Sequence, residues 1–512
     1  MPSSLVHGRH VVCHARNGDA PLVIEDGAVF QRDGRIVEVG KRDALMRHHA
    51  PDEVIGGPDK IVLPGLVNAH HHVGLTPFQL GSTDLPLEQW IVSRLGARDV
   101  DLHLDTLYAA FQMVESGITT VQHLHGWVPG SVPTVLESSR AVMDAYARVG
   151  MRCSYSYLAR DQCRLVYEDD ATFIATLPEG LRTDATEYVR QRTLSITEIL
   201  ELSQALLENT PARRPVRVQL APANLHWCSD ALLGKLRDLS RKHDLPMHMH
   251  ILESPYQKEY ARRRSGSAIG HLKDLGLLGR NLTLGHAVWT TEAEIEEIAA
   301  SGTCICHNCS SNFRLRSGIA PLQAFLDHGI TVGLGIDEAG INDDRDMLQE
   351  MRVVRLAHRM PGHDEGTVTP ARIFHMASEG SAETTPFRGE IGVLEEGRAA
   401  DIVVMNWKDV AEPYLEDGVP VVDALVYRAR SNGVETVIVE GECIYRDGRF
   451  MRIDKEAAMA ELKARLAHPP SADDVRRRTF SQALWPHALD FYRNYLPDGQ
   501  EGRTFYHPNG RD

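Results

Sequence analysis

The stretch IVLPGLVNAHHH, Ile61 to His72, carries an apolar run straight into three adjacent imidazoles. The run has the character of a buried strand. Along a strand, side chains at i and i+2 share a side and the residue between them faces the other way. His70 and His72 can therefore reach one ion together, while His71 turns away.

Seven further runs have the same texture: GITTVQHLH, GMRCSYSYL, VRVQLAPAN, LPMHMHIL, LTLGHAV, GTCICHN and ITVGLGID. Helix-like periodic stretches such as LDTLYAAFQMVESG and TEAEIEEIAASG lie between them. Eight strand–helix units predict an α/β chain with a closed (β/α)8, TIM-like barrel over residues 63–385; an open doubly wound sheet is the other arrangement. Polar groups gather where the runs stop: His70 and His72, His250 with Glu253 three residues on, His286, His307 and Asp337. In a barrel these ends share the face that carries chemistry. Imidazoles with a carboxylate suit a divalent metal that activates water.

The flanks read differently. Residues 1–62 and 386–452 are short alternating runs with Asp-Gly steps at 26–27, 33–34 and 447–448, which predict hairpins. Together they are expected to form one small β-sandwich domain built from both termini. Residues 453–512 predict a helical C-terminal extension that covers a barrel face or a neighbouring subunit.

The bulk numbers exclude several classes. A net charge of −15 argues against nucleic acid or an anionic membrane as partner. Eight cysteines in 512 residues are too few for a disulfide scaffold. No apolar leader follows the N-terminus, and no stretch is long enough to span a membrane. A cytoplasmic protein acting on a small molecule, as a homo-oligomer, is expected. A Gly-rich phosphate loop, HExxH and GxSxG are all absent.

LPGLVNAHHH resembles the opening signature of the amidohydrolase superfamily. HILE (250–253), LGHAV (284–288), CHNCSSNFRLRSGIAPL (306–322), GLGID (333–337) and GEIGVLEEGRAADIVVMN (389–406) extend the likeness over Ile61–Phe450. The nearest branch holds methylthioadenosine/adenosylhomocysteine deaminases, guanine-type deaminases and s-triazine hydrolases. The resemblance implies one divalent metal, Zn2+ ahead of Fe2+ or Mn2+, on His70, His72, His250 and Asp337, with Glu253, His286 and Asp337 catalytic. The lysine that bridges two metals in binuclear members is missing from VRVQLAPAN. The expected reaction is hydrolytic deamination of a neutral nitrogen heterocycle of purine, pterin, pyrimidine or triazine type. Hydrolysis of an amide, urea, carbamate or N-alkylamine is the second enzymatic option, and a non-catalytic relative the third.

Three departures touch the substrate. Pro222-Ala223-Asn224-Leu225-His226 stands where Pro-His is common in the branch, Asp99 only loosely replaces a glutamate, and Glu338 and Ile341 sit where small residues are usual. The expected pocket lining is Gln79, Trp90, His123, His125, Asn224, His226, Asn308 and Asn312. Most of these groups are neutral, so a free base, pterin or triazine is expected ahead of a nucleoside.

Overall fold

The computed structural model describes residues 3–16, 20–72, 74–126, 128–210, 215–359 and 368–497. The predicted extension beyond Pro497 lies outside the described residues. Eight parallel strands lie in the predicted places: Leu66–His71, Ile118–His125, Arg152–Ala159, Val216–Val218 (continued by Ala221–Pro222), Met247–Ile251, Leu282–His286, Cys304–His307 and Val332–Leu334. Two ladders of neighbours are joined at both seams by parallel bridges, Leu220 to Met247 and His71 to Asp337. The ring is therefore closed, as in a TIM-type barrel.

Helices follow the strands for local reasons. Thr291 and Ser195 each form a reciprocal capping box with a glutamate three residues on. Asp101, Ser229 and Ser254 accept from backbone N–H groups at their helix starts. Each cap is worth about 1 kcal/mol. Val135, Val142, Ala145, Tyr146 and Val149 turn the apolar stripe of Val132–Val149 onto the barrel.

The opening run divides at Gly65. Ile61–Pro64 ends a strand, Glu53–Pro64, that belongs to the other sheet; the barrel strand starts at Leu66. A side chain at Gly65 would drive its Cβ to 2.1 Å from the Thr119 hydroxyl, so glycine is required at the crossing. The other sheet has eight strands in one hydrogen-bonded order: Arg449–Phe450, Glu442–Arg446, Val434–Val439, Ile402–Asn406, Glu53–Pro64, Ser4–His14, Leu22–Arg32 and Arg35–Lys41. Both ends of the chain build it. Ile61, Leu63, Val403, Met405, Val437 and Val439 face the barrel core, whereas Val62, Ile402, Val404 and Ile438 pack with Val6, Val29 and Ile36. Asp33-Gly34 and Asp447-Gly448 make tight turns with positive φ at both residues. Asp26-Gly27 does not make a hairpin; it lies inside strand Leu22–Arg32, with Asp26 at φ 47°.

Barrel and sheet are tied by a buried ion pair. Arg152 Nε donates to Asp401 Oδ2 at 2.7 Å and Nη2 to Oδ1 at 3.3 Å. Removing either partner would strand a buried charge, at a cost of about 3–5 kcal/mol. In the tail, helix Lys455–Leu466 packs on helix Leu102–Glu115, and helix Ala472–Arg493 packs on helices Leu87–Arg94 and Glu179–Arg192. Phe480, Leu484, Ala488 and Tyr492 share a core with Val92, Leu95 and Tyr167. The tail thus covers one side of its own barrel, and Ser481 Oγ donates to the Val92 carbonyl. All eight cysteines are free. Among the described residues no helix is long and apolar enough to cross a membrane.

Candidate metal centre and active site

His70 and His72 come from the end of the first strand, His250 from the fifth, and Asp337 follows the eighth. Their ligating atoms converge. The Nε2 atoms of His70 and His72 are 3.0 Å apart, and each is 3.1 Å from His250 Nε2. Asp337 Oδ1 is 3.1 Å from His72 Nε2 and 3.5 Å from His70 Nε2.

The far sides of the rings set their tautomers. Nδ1–H of His72 donates to the Leu124 carbonyl and Nδ1–H of His250 to the Ala223 carbonyl, both at 2.8 Å. A carbonyl only accepts, so each neutral ring carries its proton on Nδ1 and turns a bare lone pair inward. His70 Nδ1 meets His248 Nε2 at 2.8 Å, which lets His70 present its Nε2 in the same way. Three lone pairs and a carboxylate facing one point repel each other unless a cation sits between them. Ligand–ligand separations of about 3.0–3.4 Å are those of metal–nitrogen bonds near 2.05 Å. The set fits one divalent ion.

Burial, then the neighbouring imidazoles, hold His70 and His250 well below the usual imidazole range. Burial also opposes charge on His72, but the Asp337 hydrogen bond and charge outweigh it and raise that ring. Asp337 is lowered despite burial, through His72, His286 and the Ser311 hydroxyl, which donates to Oδ2 at 2.6 Å. His286, Ala287, Leu252 and Asp337 all adopt positive φ. Non-glycine residues pay for that conformation, and such strain clusters at functional sites.

Glu253 is buried 3.7 Å from His286 Nδ1, with its backbone N–H donating to Gln257 Oε1. Burial, then the charges of Asp337 and Glu88, push its carboxyl well above the usual range. A carboxyl raised in this way holds a proton more readily than an exposed one, which suits a group that takes up and hands on a proton. His286 is clamped: Nδ1–H donates to Asn312 Oδ1 at 2.9 Å, and Asn308 Nδ2 donates to Nε2 at 3.2 Å. Its Nε2 is 3.8 Å from Asp337 Oδ2.

A small cleft, lined by His72, His250, Glu253, His286 and Asp337, opens over this centre. Leu87, Trp90, Ile91, Leu158, Trp227 and Leu315 supply apolar walls, and Arg160 and Glu338 add charge. Of the eight expected lining residues, only Trp90 borders this cavity. Asn308 and Asn312 hold His286 instead. His123 faces the helical layer and bonds the Tyr146 hydroxyl at 2.9 Å; His125 packs on Tyr155. His226 packs at a tilt against Tyr167 and Trp227, Asn224 Oδ1 accepts from the Leu225 N–H, and Gln79 is exposed beside Tyr108. Asp99 binds Arg477 of the tail. Glu338, at the cavity wall, is paired with Arg94.

Several contributors escaped sequence reasoning. His248 was legible as the i−2 partner of His250, and Arg160 as the cation just past strand Arg152–Ala159. Trp227 and Glu88 had no such signal. Glu88 accepts from Tyr167 and from the Ser254 hydroxyl, and it reaches the site only through helix packing.

The sequence model of the amidohydrolase family matches residues 61–444. A 5-methylthioadenosine/S-adenosylhomocysteine deaminase of Nitratidesulfovibrio vulgaris is 29% identical over 451 residues, 87% of this chain and 93% of the relative. Among solved structures, an atrazine chlorohydrolase of Arthrobacter aurescens complexed with zinc superposes with a TM-score of 0.78 at 24% identity, over 90% of this chain and 99% of the other. An adenosine deaminase of Xanthomonas campestris with bound zinc superposes at 0.73 and 22%, over 90% and 97%.

Proposed function

This chain belongs to the amidohydrolase family, and from that premise we propose that it is a hydrolytic deaminase of a nitrogen heterocycle. One observation carries the proposal: a raised, buried Glu253 beside a nest of inward lone pairs, beneath a cavity walled by flat aromatics. The substrate's exocyclic C–N bond breaks, a ring C–O bond forms, and amine plus water become ring carbonyl plus ammonia.

His70, His72, His250 and Asp337 would hold one divalent cation, with zinc favoured by its presence in the two structural neighbours. When bound, such an ion supplies Lewis acidity and eases deprotonation of water. Glu253 takes the proton of the attacking water and returns it to the departing nitrogen. Asn308 and Asn312 fix the ring plane of His286 beside Glu253 and Asp337. Ser311 holds Asp337 Oδ2 and leaves Oδ1 to the cation side. Trp90 and Trp227 offer flat faces for a heterocycle. Arg160, buried in the wall, is a donor for a ring nitrogen, a carbonyl or an anionic substituent.

The deaminase relative acts on purine thioether nucleosides by its name, which puts purines first among heterocycles. We read the terminal sheet as a small β-sandwich domain (1–62 with 386–452) on a barrel domain (63–385) and a helical extension, in a cytoplasmic homo-oligomer. The deciding measurement is ammonia release from aminopurines, adenosine-type nucleosides, pterins, aminopyrimidines and aminotriazines, beside amides and ureas. Ammonia from at least one heterocycle is expected; turnover confined to open-chain amides or ureas overturns the proposal in favour of the second option.

A further inference from the structure

A second group of metal-type donors lies outside the centre just described. His307 ends the strand Cys304–His307, Cys309 opens the helix that follows, and His358 ends helix Met347–Ala357. His307 Nε2 and His358 Nε2 are 2.9 Å apart, and the ligand atoms of all three residues lie within 4.8 Å of one another. His307 and Cys309 are buried, and His307 Nδ1 has no hydrogen-bond partner. The two rings meet edge-on, with centroids 4.9 Å apart at 68°.

We propose that His307, Cys309 and His358 form a second cation site for a borderline or soft ion of the Zn2+ class, on the helix side of the barrel wall. An N–H···N bond between the rings would use one nitrogen of each and leave the thiol aside. One ion takes all three donors at once. Two imidazoles and a thiolate are the set that zinc prefers over magnesium or calcium. Metal–nitrogen bonds near 2.05 Å and metal–sulfur bonds near 2.3 Å set nitrogen and sulfur about 3.5 Å apart round a tetrahedral ion, a spacing that side-chain rotation can reach from donors within 4.8 Å of one another. Binding replaces the Cys309 S–H bond by sulfur–metal coordination and releases that proton to solvent. The fourth position is left to water.

Such an ion would brace the strand end Cys304–His307 against helix Met347–Ala357. Asn308 sits between two of the proposed ligands and bonds His286, so the brace steadies the proton-handling side of the active centre without touching substrate.

The test uses the full-length protein, stripped with chelator and titrated with Co2+. Two equivalents per chain are expected, with a near-ultraviolet thiolate-to-cobalt absorption that grows with one of them. Cys309→Ser should bind one equivalent and show no such absorption. His358→Ala should lose the same equivalent. His72→Ala should keep the absorption, which separates this site from the centre under His70. The wild-type titration decides even where a variant does not fold: a single equivalent, or two without thiolate absorption, overturns the proposal. Absorption that survives in Cys309→Ser overturns it as well.

Discussion

Two His-x-His pairs end neighbouring strands of this barrel, and they do opposite things. His70 and His72 point inward, with Nε2 atoms 3.0 Å apart and a carboxylate beside them. His123 and His125 point toward the helices, with ring centroids 5.7 Å apart, against Tyr146 and Tyr155. Both pairs are buried, and both are spelled alike. His71 pairs in register with His123, so the odd member of the triplet belongs with the outer group, 5.6 Å from the His123 ring. Alternation sorts side chains into two sets, but only the company on each side makes one set a site. Inside stand Asp337, Glu253 and His250; outside stand phenols and apolar packing.

The sharpest break of this comparison is to remove one inner ligand and one outer histidine. Replacing His70, His72, His250 or Asp337 with Ala should abolish stoichiometric metal and bring turnover below detection. His71→Ala and His123→Ala should keep the ion. Metal analysis after desalting reads the difference, and loss of the ion in His71→Ala would put the strand phase wrong.

Next in size is Glu253→Gln. It keeps shape and hydrogen bonding but removes the base, so kcat should fall by about 10²- to 10⁴-fold with metal retained. Unchanged turnover would remove Glu253 from the mechanism.

His248→Ala leaves all four proposed ligands in place and deletes only the partner of His70 Nδ1. Partners of this kind are typically worth about 10- to 100-fold in metal affinity or activity. Competition with a chelator measures it, and an unshifted affinity would show that His70 orients itself.

An effect on stability alone separates two buried carboxylates. Asp337 lies among nitrogens and is held low; Glu350 accepts only from the Ser310 hydroxyl and the neutral backbone N–H groups of Ser310 and Cys309, and burial pushes it up to about 7. A carboxyl raised on folding stabilises fully below its unfolded value near 4.3, and that contribution disappears as pH rises through about 7. Glu350→Gln should therefore gain on the wild type between pH 5 and pH 9, by at most about 3 kcal/mol. Denaturant unfolding at the two pH values tests it, and a constant difference would count against the burial of that charge.

Much of this protein was legible before its structure. Apolar runs with helical stretches between them dictate parallel strands, because a strand buried on both faces must be apolar throughout. The places where imidazole and carboxylate interrupt those runs marked His70, His72, His250, His286 and Asp337, and i, i+2 periodicity separated His71 from its neighbours. Tertiary structure alone decided the rest. It cut the opening run at Gly65 and gave its two halves to different sheets, since backbone pairing is a long-range choice. It turned Asn308 and Asn312 away from the cavity and onto His286, sent His123 and His125 to the helical layer, and brought Trp227 and Arg160 to the wall. A strand's period says which residues share a side. Which side is the inside, and what else arrives there, depends on how distant strands close the ring.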